Sequence, residues 1–186
     1  DKLDFHSPLT SFWGYANEET ERIASSSGGI FFAIAKEFLK NGVVVGAAYD
    51  QSFTVRHSIV RSIDDLPRIR GSKYVESDLQ GVFEDVKNML DHDIRVLFSG
   101  VPCQIGAIKA FLGKSYDNLY TCEVFCHGVP RSGLFEEYIS WLEKKIGKVM
   151  SFNFRSKHFG WKNPSYEIKG KRGCIIEQHK DNIYHL

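Results

Sequence analysis

The chain has 186 residues; Lys and Arg (24) nearly balance Asp and Glu (23), so the net charge is +1, and 42% of residues are hydrophobic. This composition excludes a disordered or collagen-like chain, and the charge balance argues against a nucleic-acid partner. No run approaches the roughly 20 apolar residues that span a bilayer, and no signal-peptide pattern opens the chain. Four irregularly spaced cysteines (Cys103, Cys122, Cys126, Cys174) do not form a secreted disulfide scaffold, so a cytoplasmic protein with reduced thiols is expected. The start at Asp1 and the apolar end at Ile183, Tyr184 and Leu186 read as a piece of a longer protein.

In chain order, Ser11 to Ala16 reads as a strand. Ser25-Ser26-Ser27-Gly28-Gly29 leads into a helix over about Ile30 to Lys40, which Asn41-Gly42 ends. Val43 to Tyr49 and Phe53 to Val60 are β-rich runs joined by Asp50-Gln51-Ser52, a hairpin pattern. Leu79, Val82, Phe83, Val86, Met89 and Leu90 recur at helical spacing, and Ile94 to Phe98 is a short buried strand. Ile105, Ile108, Phe111 and Leu112 mark the next helix; Leu119 to Phe125 is a strand, and Leu134 to Ile146 is a strong helix ending near Gly147. Three further β-rich runs follow: Val149 to Phe154, Tyr166 to Lys169 and Cys174 to Gln178. Strands alternating with helices predict an α/β fold, a mostly parallel central sheet flanked by helices. Residues 1–148 form that core with its N-terminal strand, and residues 149–186 form a β-rich C-terminal extension.

Two segments stand out chemically. Ser99-Gly100-Val101-Pro102-Cys103-Gln104 follows a buried strand and opens a helix, with Pro suited to the first turn. The helix dipole there favours a thiolate at Cys103, which can act as nucleophile, redox partner or metal ligand; the plainer reading is a small buried cysteine in a turn. Cys126-His127-Gly128-Val129-Pro130 occupies the equivalent place after the next strand. If the two strands are neighbours, both cysteines sit on the edge where open α/β sheets bind ligands. His127 is a ligand or acid there, or simply bonds its own loop. Cys122 lies on the same strand as Cys126, roughly 13 Å away, and reads as core. Cys174 reads as part of the β-rich tail, and His6, His57, His92, His158 and His179 as surface or structural residues.

Ser26, Ser27, Gly28 and Gly29 at a helix start suit an anion, or serve as an ordinary serine cap. Gly71-Ser72-Lys73-Tyr74 offers a cation, a hydroxyl and a stacking ring to a phosphate or flavin, or is a solvated loop. The basic and aromatic stretch from Phe152 to Trp161 suits a cover over a cofactor or anionic substrate.

These blocks, in their order and spacing, resemble the coenzyme F420 hydrogenase/dehydrogenase beta-subunit family, with Phe154-Arg155-Ser156-Lys157 to Gly160-Trp161 similar to its bacterial branch. The match runs from about Ile23 to Trp161. The resemblance implies an oxidoreductase subunit that transfers electrons between a [4Fe-4S] cluster, FAD and a two-electron acceptor, coenzyme F420 or another. It implies FAD contacts from the serine-glycine turn (Ser26, Ser27, Gly28, Gly29) and the lysine loop (Ser72, Lys73, Tyr74), and further cofactor contacts from Ser99, Gly100, Gln104 and His127. It implies cluster ligation by Cys103 and Cys126. A redox partner protein or ferredoxin-like domain would supply or take electrons, and an oligomer is compatible. The family's N-terminal ferredoxin-like cysteines and downstream cysteine pair are not in this sequence, so the cluster is expected to be incomplete here. Two rivals stand beside this reading: a non-redox phosphate- or nucleotide-binding module with structural cysteines, and a thiol enzyme with Cys103 as nucleophile and His127 as base. The redox reading expects a groove for a phosphorylated ring system between the serine-glycine turn and the lysine loop.

Overall fold

A computed structural model describes residues 10–184. Two sheets carry the fold. The first has the order β2-β1-β3-β4, from β1 (Gly42–Tyr49), β2 (Val55–Val60), β3 (Arg95–Gly100) and β4 (Leu119–Glu123). β1 and β2 form the expected antiparallel hairpin, whereas β1–β3 and β3–β4 are parallel. The second sheet is an antiparallel meander of β5 (Val149–Ser156), β6 (Ser165–Gly170) and β7 (Gly173–Gln178). The fold is thus α/β with a mostly parallel sheet flanked by helices, followed by a β-rich segment.

Strand alternation explains the layering. Val43 and Val45 of β1, with Val96 and Phe98 of β3, face α3 (Val82–Asp91) and α4 (Pro102–Leu112). The intervening Val44, Ala48 and Leu97 face α2 (Ile30–Phe38) and the 3-10 turn Leu66–Ile69. Side chains two apart share a strand face, so a run apolar at every position is buried on both sides. α5 (Ser132–Ile146) turns its apolar stripe of Phe135, Tyr138, Ile139, Leu142 and Ile146 toward Phe152, Phe154, Tyr166 and Ile168 of the second sheet. Aromatic rings meet at its centre: Phe135 contacts the rings of Tyr49, Phe152, Phe154 and Tyr184.

The expected strand over Ser11 to Ala16 does not form. Among the described residues the segment has no ladder partner: Phe12 and Trp13 are exposed, and Ala16 N–H bonds instead to Gly28 O (2.7 Å). Behind it lies α1 (Glu19–Ala24), which has no buried residue and so no apolar stripe for the sequence to display. The hairpin, the other strands and the four longer helices lie where expected, within a few residues. His6 lies outside the described residues.

Candidate functional site

β1, β3 and β4 run the same way, so their C-terminal ends share one rim, where open sheets place ligands. Gly100 pairs with Glu123, and Val124 N–H extends the pairing to Gly100 O (2.9 Å). Cys103 and Cys126 each follow those paired residues by three positions, so the topology carries both to that rim. Both are exposed, which removes the buried-turn reading of Cys103. Cys126 Sγ accepts Gly128 N–H (3.3 Å), and His127 is exposed beside it. Cys122 is half-buried within β4, packed against the α2 side, and burial pushes its thiol up. Cys174 lies in β7 of the other sheet.

The turn carrying Cys103 is fixed from below by groups that sequence reasoning did not connect. Gln104 Oε1 accepts Val101 N–H (3.1 Å), and its Nε2 donates to Ser77 Oγ (2.8 Å). Ser77 in turn meets His57 Nδ1 (3.0 Å), while His57 Nε2 meets Ser99 O (3.0 Å). A carbonyl can only accept, so Nε2 carries the hydrogen and Ser77 O–H donates to Nδ1. His57 is buried and stacked on Phe98 (5.2 Å); burial lowers its pKa, partly offset by the Ser99 bond. Gly100 leaves room for Gln104, whose Oε1 would stand 3.1 Å from a Cβ there. Ser99, Gly100 and Gln104 therefore build this turn. The only sequence hint was an apolar-polar alternation placing His57 inward on β2.

The serine-glycine turn and the lysine loop do meet: Ser72 N–H donates to Ser26 Oγ (2.7 Å). They meet by direct contact there. Gly29 has φ +84°, and a Cβ on Gly28 would stand 2.9 Å from Gly14 O, so both positions require glycine. The carbonyls of this region point at a cation. Lys157 Nζ donates to the carbonyls of Arg22 (2.5 Å), Ile23 (3.3 Å), Ser25 (2.5 Å) and Ser27 (3.4 Å), and lies 3.9 Å over the Trp161 ring. The Phe152 to Trp161 stretch thus clasps the turn before α2. Tyr74 faces the second sheet: its hydroxyl accepts from Arg155 (3.3 Å) and its carbonyl from Tyr184 (3.1 Å).

The open volume lies on the other side of the lysine loop. A cleft of about 730 Å³ runs between that loop, the β1–β2 turn and β5. Ser72 and Lys73 line it, whereas Ser26, Ser27, Gly28, Gly29, Tyr74 and the cysteine rim do not. Its walls combine Arg68, Arg70, Lys73, Lys148 and Lys171 with the rings of Tyr49, Phe53 and Phe152. Tyr49 ends β1, so the cleft shares the C-terminal rim with the cysteines. Lys73 Nζ donates to the carbonyls of Arg70 (3.2 Å) and Gly71 (3.1 Å) and lies 5.5 Å from the Tyr49 ring centre. Burial lowers its pKa from 10.5 to about 8. Among the described residues Tyr49 Oη, which is buried, has no hydrogen-bond partner, and burial raises its pKa.

A phosphorylated ring system fits this cleft: its volume falls in the roughly 300–1,000 Å³ of small-ligand sites, and cations and rings stand together. A four-thiolate cluster does not fit the described residues. No three metal-ligating side chains gather among them, and the rim carries two of the four thiolates that such a cluster takes.

No curated protein matches the chain. A chain of the F420-reducing [NiFe] hydrogenase complex from Methanosarcina barkeri, from a xenon-derivatized structure, shares the fold, with a TM-score of 0.58 at 15% identity. The match covers 89% of this chain and 59% of that one, so this chain spans under two thirds of that protein's length. Among the described residues no helix is long and apolar enough to cross a membrane. The family model for the N-terminal part of the coenzyme F420 hydrogenase/dehydrogenase beta subunit matches residues 11–84, and that for its C-terminal part matches residues 93–183. The boundary between them falls at α3, although β1 and β3 pair across it. With both halves matched in order, the chain belongs to the coenzyme F420 hydrogenase/dehydrogenase beta-subunit family.

Proposed function

We propose that the chain is the flavin-binding part of an electron-transfer oxidoreductase subunit, with FAD in the cleft behind the lysine loop. The observation that carries this reading is the cleft itself, where aromatic side chains and five cations, four of them without a carboxylate partner among the described residues, line one volume at the C-terminal rim of a parallel sheet. A bound flavin supplies hydride and single-electron chemistry; the chain supplies binding, orientation and electrostatics. Arg70 and Lys73 would hold a phosphate of the cofactor, and Tyr49, Phe53 and Phe152 would shield the ring system from water. Lys73, its charged form disfavoured by burial, gains most from an anion nearby.

Cys103 and Cys126 lie on the same rim and would serve as two cluster ligands once two further thiolates join them. Phe125, beside Cys126, is 96% exposed, and Val124 and Val129 are exposed around it. This surface suits a redox partner protein or ferredoxin-like domain. Coenzyme F420 or another two-electron acceptor would complete the reaction.

The test is an absorption spectrum with flavin and iron analysis of the full-length protein purified anaerobically. Stoichiometric FAD, lost on Lys73→Gln, is expected. A colourless protein that takes up no flavin on reconstitution would favour the non-redox phosphate-binding module instead.

A further inference from the structure

Five cations line the cleft, and one carboxylate, Asp50, joins them. Asp50 is already engaged: its Oδ1 accepts the N–H groups of Ser52 (2.8 Å) and Thr54 (3.0 Å), and its Oδ2 pairs with Arg56 Nε (3.4 Å). Among the described residues, Arg70, Lys73, Lys148 and Lys171 form no ion pair with a carboxylate.

The cations stand on two walls. Arg68 lies in the 3-10 turn, and Arg70 and Lys73 belong to the loop after it, beside the first sheet. Arg70 is anchored there by stacking on Phe32 (4.5 Å). Lys148 and Lys171 belong to the facing wall, one just before β5 and the other in the β6–β7 turn. Lys171 N–H bonds to Lys148 O (3.0 Å), which keeps the two residues adjacent. Both are exposed, and neither packs into the core. Like charges concentrated in a concave wall raise its potential, and an anion between them relieves the repulsion. One phosphate at Arg70 and Lys73 leaves the Lys148–Lys171 wall uncompensated.

Building on the flavin reading, we infer that the cleft binds two separate anionic groups. The first is a phosphate at Arg68, Arg70 and Lys73; the second, a phosphate or carboxylate, is held by Lys148 and Lys171. The second group belongs either to the cofactor or to an anionic acceptor that enters beside it.

The experiment titrates the full chain with FAD, and the FAD-loaded chain with inorganic pyrophosphate, comparing wild type with Lys148→Gln/Lys171→Gln. Circular dichroism checks the variant's fold, and the single substitution Lys171→Glu repeats the comparison. If the second group is the cofactor's, FAD binds the double variant about tenfold more weakly. If it is the acceptor's, FAD affinity is unchanged, and pyrophosphate binding to the loaded protein weakens by about the same factor. The inference is overturned if both probes bind the variant as they bind wild type, or if FAD affinity is unchanged and pyrophosphate fails to bind the loaded wild type. If FAD does not bind but pyrophosphate does, with the same dependence on the two lysines, the two-ended site stands and the flavin assignment falls. If neither probe binds wild type, both are lost.

Discussion

At Lys73, burial and the lack of a carboxylate partner among the described residues act together: the charged form loses water and gains two carbonyls and the face of the Tyr49 ring. The sign of the pH effect follows. Between the folded value of about 8 and the unfolded value of 10.5, the unfolded chain binds the extra proton, so stability of the ligand-free protein rises with pH across that window. Urea unfolding should show this rise, and Lys73→Met should flatten it. Pyrophosphate affinity should move the other way, falling as pH passes about 8, because the ammonium discharges. At Ser77, replacement by alanine removes the donor to His57 Nδ1 and the acceptor of Gln104 Nε2. The cost should be about 1–3 kcal/mol in denaturant unfolding, because two polar groups lose their partner in a part-buried site. Lys73 and the Cys103 turn were visible in the sequence because glycine, proline and cysteine mark a turn by local chemistry. His57 was not visible as their support, since its partners Ser77 and Ser99 are far along the chain.

Among the elements, α5 and the second sheet depend on one aromatic cluster. Phe135 is 1% exposed and meets the rings of Tyr49, Phe152, Phe154 and Tyr184. Phe135→Ala should cost about 3–5 kcal/mol, read as a lower urea midpoint. Because Tyr49 lines the cleft, the same substitution should also weaken ligand binding there. The long helices and inner strands were legible because their apolar period survives burial: α5 shows its stripe, and β1 is apolar on both faces. The Ser11 to Ala16 segment misled for a complementary reason. Its aromatic residues satisfy strand propensity, but β propensity needs a neighbour to pair with, and none is supplied. α1 was missed because a helix without a buried face leaves no periodic trace.

For the whole molecule, the cleft was the least readable feature, since its walls come from the β1–β2 turn, the lysine loop and β5, about a hundred residues apart. Sequence reasoning set the lysine loop across a groove from the serine-glycine turn, whereas the two touch at Ser72 and Ser26 and Lys157 clasps the turn. Lys157→Met should leave the core strands protected while amide exchange over residues 22–27 speeds up, as measured by mass spectrometry. That clasp also makes the lysines unequal as chemical targets. An amine-acylating reagent needs an unshielded, deprotonated nitrogen, and Lys157 is enclosed by four carbonyls and an indole while Lys148 and Lys171 face solvent. Labelling at Lys157 therefore clocks how often the end of β5 lets go of the turn it holds.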